Sequence, residues 1–156
     1  MKKEEVGKKK IIVYDFDKTL YDGETGVNFS VFYLKKYPVR SILFMMGYSK
    51  DLIFYLLKII DLRALKERYF EFLERHSKEE VEELVARFWE TKRHKIYSWT
   101  REELEKNKKE CEMVIVSSAS PLFLIENFLL SLGYDKVFGT NFVNDGKDGR
   151  ETFVAK

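Results

Sequence analysis

The chain has 156 residues, enough for one domain or for a core with a smaller insertion. Its residues are 45% apolar and 15% aromatic, which suffices for a real hydrophobic core and excludes a disordered chain. With 28 basic against 26 acidic side chains, the net charge is only +2, so no broad positive field for a nucleic-acid partner is expected.

The lead-in MKKEEVGKKK reads as a solvated tail. It is not a signal peptide, because its basic residues run straight into a short strand without a small-residue cleavage site. The apolar run Ile11, Ile12, Val13, Tyr14 is expected to form a strand buried on both faces, as inside a parallel sheet. Asp15 and Asp17 follow it. Side chains at i and i+2 on extended backbone point the same way, and two like charges held that close favour a cation between them.

Residues 27–37 read as a helix that Pro38 ends. Residues 41–98 are expected to be almost all helix. Within them, SILFMMGYSKDLIFYLLKII approaches a membrane span in apolar content. Lys50 and Asp51 at its middle would each cost about 2.5–3.5 kcal/mol at a bilayer centre, so two apolar helical pieces joined near GYSKD are expected instead. Leu62, Leu65, Tyr69, Phe72 and Leu73 then recur at helical spacing as an amphipathic stripe. Ser77 with Glu80 is a capping box opening a helix that carries Val81, Leu84, Val85 and Phe88, and Thr100 with Glu103 repeats the signal. His76 and His94 lie in charged segments and are expected at the surface.

Cys111 is the only cysteine, so no intrachain disulfide can form and a reducing, cytoplasmic setting fits. It precedes a second buried strand, residues 113–118. Ser120 as N-cap, Pro121 at N1 and Gly133 past the end bracket the next helix. KVFGT is a short third strand, and VNDGKDGRETFV, with two turn signals, reads as a hairpin. Strands alternating with helices imply an α/β core with a parallel sheet. The roughly 70 residues between the first two strands exceed an ordinary crossover of about 10–12 residues, so an inserted all-helical cap is expected over the strand ends, where open α/β sheets bind ligands. The expected domains are a core of residues 1–24 and 100–156 and a cap of residues 25–99.

Asp15 has the chemistry of a nucleophile that forms an aspartyl-phosphate, and Asp17 that of a general acid and base. Mg²⁺, a hard cation, would bridge carboxylate and phosphate. Thr19 can hold Asp17 through its hydroxyl, and Ser118 offers a hydroxyl near a helix start, a natural phosphate site.

DFDKTL, followed about a hundred residues later by VIVSSASP, resembles the first two motifs of the haloacid dehalogenase superfamily. It is more narrowly similar to the phosphoserine-phosphatase-like branch, whose helical cap lies between those motifs. LGYDKVFGTNF and DGKDG resemble the stretch that follows, so the likeness covers nearly the whole chain. It implies a Rossmann-like core and an Mg²⁺-dependent phosphomonoesterase, with Asp15 as nucleophile and Asp17 as acid/base. Asp15 and Asp17 would be the metal-binding residues, Asp17 through its backbone carbonyl. Thr19 and Ser118 would bind phosphate, Ser118 being favoured over Ser117 by the alignment of SASP, and Glu24 would contact the substrate, a small phosphorylated metabolite. The resemblance also implies a lysine motif and an acidic motif on a fourth strand. Neither is recognisable before Lys156, and Lys147 and Lys156 are unconvincing substitutes, so an incomplete core and impaired activity are expected. Two alternatives stand beside this reading. One is a non-catalytic binding module, including a homodimer through the exposed sheet edge or the apolar cap. The other is a peripheral membrane lipid-phosphate phosphatase that uses Phe44, Met45, Met46, Leu56 and Leu57.

Overall fold

The computed structural model describes residues 10–61, 64–65, 68–74, 76–144 and 153–155. β1 (Ile11–Tyr14), β2 (Met113–Pro121) and β3 (Lys136–Thr140) form a parallel sheet in the order β1-β2-β3. Val13 lies beside Ile115, and Tyr14 beside Val116, which in turn faces Val137. β4 (Phe142–Asn144) and β5 (Phe153–Ala155) pair antiparallel, as the hairpin reading expects. Its turn, with Lys147, lies outside the described residues, as do Leu62 and Lys156.

β1 is not buried on both faces. It is an edge strand, and Ile11 and Val13 are 52% and 59% exposed. Their face continues through Phe138 of β3, also exposed, while the opposite face carries the buried Val114, Val116 and Val137. Helices pack on that second face. α4 (Trp99–Glu110) reaches it through Glu103 and Asn107, which bond the Tyr14 hydroxyl, and α5 (Leu122–Leu132) packs Leu124, Ile125 and Leu129 into the same core.

Between β1 and β2 the chain is helical, with breaks. α1 (Thr25–Lys36) stops at Tyr37, whose backbone leaves the helical region (φ −129°, ψ 65°) just before Pro38, a residue that disfavours helix in its predecessor. Pro38 then opens α2 (Pro38–Leu56). α2 runs without a joint through GYSKD, contrary to expectation, because each polar residue there finds a partner compatible with the helix. Ser49 donates to the Met46 carbonyl at 2.8 Å, and Lys50 lies 5.4 Å above the Phe54 ring. Asp51 is buried and paired with Arg68. No helix among the described residues is long and apolar enough to cross a membrane.

The expected stripe is a 3₁₀ turn, Glu71–Leu73, in its last part, with Leu65, Phe70 and Leu73 buried. His76 is also buried rather than exposed: it meets the Tyr33 hydroxyl at 2.9 Å and Glu80 at 3.3 Å, which satisfy both ring nitrogens. α3 (Lys78–Lys92) has the expected capping box, with Ser77 and Glu80 each bonding the other's backbone N–H. The second capping box does not form. α4 starts two residues earlier, with Ser98 at its N-cap, Thr100 turns back to the Tyr97 carbonyl at 2.7 Å, and Glu103 serves Tyr14 and Asn107 instead. Trp89 joins α3 to α5: its indole stacks on Phe128 at 3.8 Å and donates to the Leu124 carbonyl at 2.7 Å. Buried packing is thus continuous from α1 and α3 to α5.

Asp135 sets the register of β3 on β2. Its N–H donates to the Val114 carbonyl at 2.9 Å, and its carboxylate accepts from the Val114 N–H at 2.8 Å and from Lys108 at 3.2 Å. The Val114 N–H, seconded by Lys108, holds the Asp135 carboxyl below its usual value. A depressed folded-state pKa contributes stability above the unfolded value of about 3.9, and that contribution is lost as pH falls through the folded value. For a carboxylate partly open to solvent, about 1 kcal/mol is expected. Asp135→Ala should therefore lower stability by about that much at pH 7 in urea titrations, and the difference from wild type should shrink below about pH 4.

Candidate active site

The turn after β1 is held by its own backbone. The Phe16 carbonyl accepts from the N–H groups of Thr19, Leu20 and Tyr21 at 3.2, 2.9 and 3.1 Å, and Lys18 adopts the left-handed region at φ 62°. Phe16, Leu20 and Tyr21 are fully or almost fully buried, and the rings of Phe16 and Tyr21 stack on each other and meet Trp89 edge-on. With Phe16 anchored inward, its neighbours Asp15 and Asp17 are left at the C-terminal end of the sheet, Asp15 exposed and Asp17 half-buried.

The two carboxylates have different surroundings. Asp17 is clamped from both sides. One oxygen accepts from the Thr25 N–H at 2.9 Å and from the Thr25 hydroxyl, and the other accepts from the Ser120 hydroxyl, 103 positions away in sequence. The first turn of α1 and the end of β2 therefore meet on this one side chain. Asp15 accepts from the Thr19 hydroxyl at 3.0 Å. Thr19 thus holds Asp15, not Asp17 as the sequence suggested, because the Phe16-centred turn carries it back over the residue four positions earlier.

Ser118 is half-buried and accepts from the Ser120 N–H at 3.1 Å, whereas Ser117 is exposed beside Phe138 on the outer face. Ser120 does not cap α5. β2 shifts register after Ser117 and continues through Pro121, so the helix opens at Leu122 and the Ser120 hydroxyl is free to reach Asp17. Glu24 stands at the N-terminus of α1 and forms an ion pair with Lys18, whose ammonium it favours, pushing the Lys18 pKa up. The structure thus gathers Asp15, Asp17, Thr19, Glu24 and Ser118 at one end of the sheet, and adds Thr25 and Ser120.

The donor set suits a hard cation but is sparse. Mg²⁺ takes oxygen ligands and commonly keeps several waters beside one or two carboxylates and a phosphate. Asp15 supplies an exposed carboxylate at the strand end; of the two Asp17 carboxylate oxygens, one accepts two hydrogen bonds from Thr25 and the other accepts one, from Ser120. Among the described residues no three acidic, histidine or cysteine side chains cluster as a metal site.

Gly139 in β3 keeps Ser120 in place. A Cβ there would lie 2.8 Å from the Ser120 carbonyl and 3.1 Å from Leu122 Cα, both backbone atoms. Gly139→Ala is expected to cost about 1–3 kcal/mol in thermal or chemical unfolding. Gly47→Ala, in α2 with nothing within 4 Å of the added carbon, should instead stabilise by about 0.5–1 kcal/mol.

Residues 12–155 match the family model of haloacid dehalogenase-like hydrolases. No curated protein matches the chain. Among solved structures, a protein with unknown function from Bordetella pertussis Tohama I superposes with a TM-score of 0.75 at 14% identity, over 95% of this chain and 67% of that one. A phospho-aspartyl intermediate analogue of phosphoserine phosphatase gives 0.55 at 20%, over 94% and 63%, and a substrate-bound phosphoserine phosphatase complex 0.57 at 20%, over 96% and 63%. The chain spans 63–67% of the length of these three structures. At such identities the likeness concerns the fold. With the family model matched over nearly its whole length, the chain belongs to the haloacid dehalogenase-like hydrolases.

Proposed function

We propose that this chain is an Mg²⁺-dependent phosphomonoesterase acting through an aspartyl-phosphate on a small phosphorylated metabolite. The observation that carries the reading is the unequal treatment of the two carboxylates: Asp15 exposed at the strand end, Asp17 clamped by Thr25 and Ser120. A nucleophile must be reachable by phosphorus, whereas a proton-transfer group must keep a fixed position through both half-reactions.

In this mechanism an Asp15 carboxylate oxygen attacks phosphorus, and the phosphorus–oxygen bond to the leaving group breaks with its electron pair going to that oxygen. Asp17, protonated at that stage, donates its proton to the departing alkoxide. The aspartyl-phosphate is then hydrolysed: Asp17 takes a proton from water, the water oxygen attacks phosphorus, and the Asp15 carboxylate leaves. Thr19 orients Asp15, and Ser118 hydrogen-bonds phosphate oxygen. A bound Mg²⁺, held by Asp15 and the Asp17 carbonyl, would offset the negative charge of carboxylate and phosphate. Lys18 and Glu24, paired at the mouth, are placed to meet the remainder of the substrate.

Residues 25–99 are read as a cap over a core of residues 1–24 and 100–156. Half-buried Cys111, the only cysteine, supports a reducing, cytoplasmic setting.

The test is turnover of p-nitrophenyl phosphate with and without Mg²⁺, beside Asp15→Asn and the double variant Thr25→Val/Ser120→Ala. Asp15→Asn should abolish any turnover, while the double variant, which keeps the Thr25 N–H, should lose about 10–100-fold, part of a general acid–base contribution of about 10²–10⁴. Absence of turnover in wild type, or turnover unaffected by Asp15→Asn, would count against the reading and leave a non-catalytic binding module.

A further inference from the structure

α2 is apolar on two sides. Toward the core it sets Ser41 and Asp51, both buried, together with Phe44 and Tyr48, whose rings meet Phe72 and Tyr69. Met45 borders a cavity between α1 and α2. The outward side is carried by Val39, Ile42, Met46 and Ile53, which fall within an arc of about 60° at 3.6 residues per turn. Leu57, at the C-cap, continues the row. These side chains are 54–70% exposed, and they span about 27 Å of helix at 1.5 Å per residue. A contiguous exposed row of this kind marks an interaction surface.

Two properties of the row point to what covers it. It offers few hydrogen-bonding groups: Ser49, beside the row, already donates to the Met46 carbonyl at 2.8 Å, which leaves Lys50 as the polar side chain facing outward. An ordinary protein interface carries about one hydrogen bond per 100–200 Å², whereas a lipid surface requires none.

The second property is charge. Lys50 lies in the middle of the row, with its ammonium 5.4 Å above the Phe54 ring. Lys36 and Arg40 both lie over the Tyr37 ring at the entry to α2, and Lys58 follows its end. The acidic neighbours are placed elsewhere. Asp51 is buried and paired with Arg68, which also lies 4.0 Å from Glu71. Glu71 and Glu74 share a hollow with Arg40, Leu43, Phe44 and Phe72, on the flank of α2 rather than on the row. Asp61, beyond the helix, accepts from the Ala64 N–H. A second copy seated on the row would set its cations against one another, whereas anionic headgroups would attract them.

We propose that the outward face of α2 lies on a membrane surface that contains anionic lipid. Val39, Ile42, Met46, Ile53 and Leu57 enter the boundary between headgroups and acyl chains, and Lys50 reaches back along its apolar stem to the headgroups. The helix lies in the plane of the surface and does not cross it, in keeping with its length and charge. This surface is independent of the reading of Asp15 and Asp17, and it adds a place of action to that reading.

Co-sedimentation of the chain with phosphatidylcholine vesicles, with and without phosphatidylglycerol, tests the proposal. Binding to the mixed vesicles should exceed binding to phosphatidylcholine alone by at least about tenfold at low salt, and it should weaken as salt screens the cations. Ile42→Gln/Ile53→Gln should weaken binding to both vesicle types, by about tenfold or more for two exposed apolar side chains. Lys50→Gln/Lys58→Gln should weaken binding to the mixed vesicles alone. All four positions are exposed, so both double variants should melt with wild type, and the comparison of the two vesicle types needs no variant at all. Absence of sedimentation with either vesicle, equal binding to both, or binding that Ile42→Gln/Ile53→Gln leaves unchanged overturns the proposal. So does light scattering that finds a dimer which Ile42→Gln/Ile53→Gln splits, since a second copy would then cover the row.

Discussion

Three distant parts of the chain converge on the carboxylate of Asp17. The turn after β1 supplies it, the first turn of α1 supplies the Thr25 N–H and hydroxyl, and the end of β2 supplies the Ser120 hydroxyl. A half-buried carboxylate needs such donors, because leaving it unpaired would cost more than the contacts return. The clamp fixes where α1 starts relative to the sheet, and everything α1 carries inherits that position: Glu24 before it, the cavity wall along it, and Phe29 and Tyr33 in the shared core.

Beneath the clamp lies an aromatic support. Phe16 and Tyr21 bracket the turn and pack on Trp89, and Trp89 stacks on Phe128 and bonds the Leu124 carbonyl. The turn is thereby pinned to α3 and α5 at once. Aromatic pairs of this kind contribute about 0.5–1.5 kcal/mol beyond area burial, and their rigid shape limits how far the adjacent carboxylates can drift. Gly139 works at the same place from the other strand, since its missing side chain lets β3 approach the Ser120 carbonyl.

Much of this was legible in the sequence because it is local. The Ser77/Glu80 capping box, the Pro38 break and Gly133 at the end of α5 each depend on a few adjacent residues and stand as read, and the apolar run before Asp15 is a strand as read, though not one buried on both faces. The errors share a cause, which is tertiary pairing. Ser120 looked like a cap because a serine before proline and an apolar run normally is one; its hydroxyl instead crosses to Asp17. Thr25, inside GETG, carries only a weak local signal, a hydroxyl residue eight positions after an aspartate. His76 was placed at the surface from its charged neighbours, yet Tyr33, from 43 positions away, and Glu80 complete its bonding inside the core. The unbroken apolar run implies burial of Ile11 and Val13, but an edge strand leaves alternate residues in solvent.

The central claim, that Asp15 is the group that attacks phosphorus, is tested most directly by trapping. The protein is mixed with p-nitrophenyl phosphate and Mg²⁺, quenched in acid within the first turnover, digested and read by mass spectrometry. The account expects one phosphoryl group on the peptide containing Asp15, located at that residue and absent from Asp15→Asn. Phosphate release with no phosphoryl group on Asp15, or the label on another residue, would contradict it.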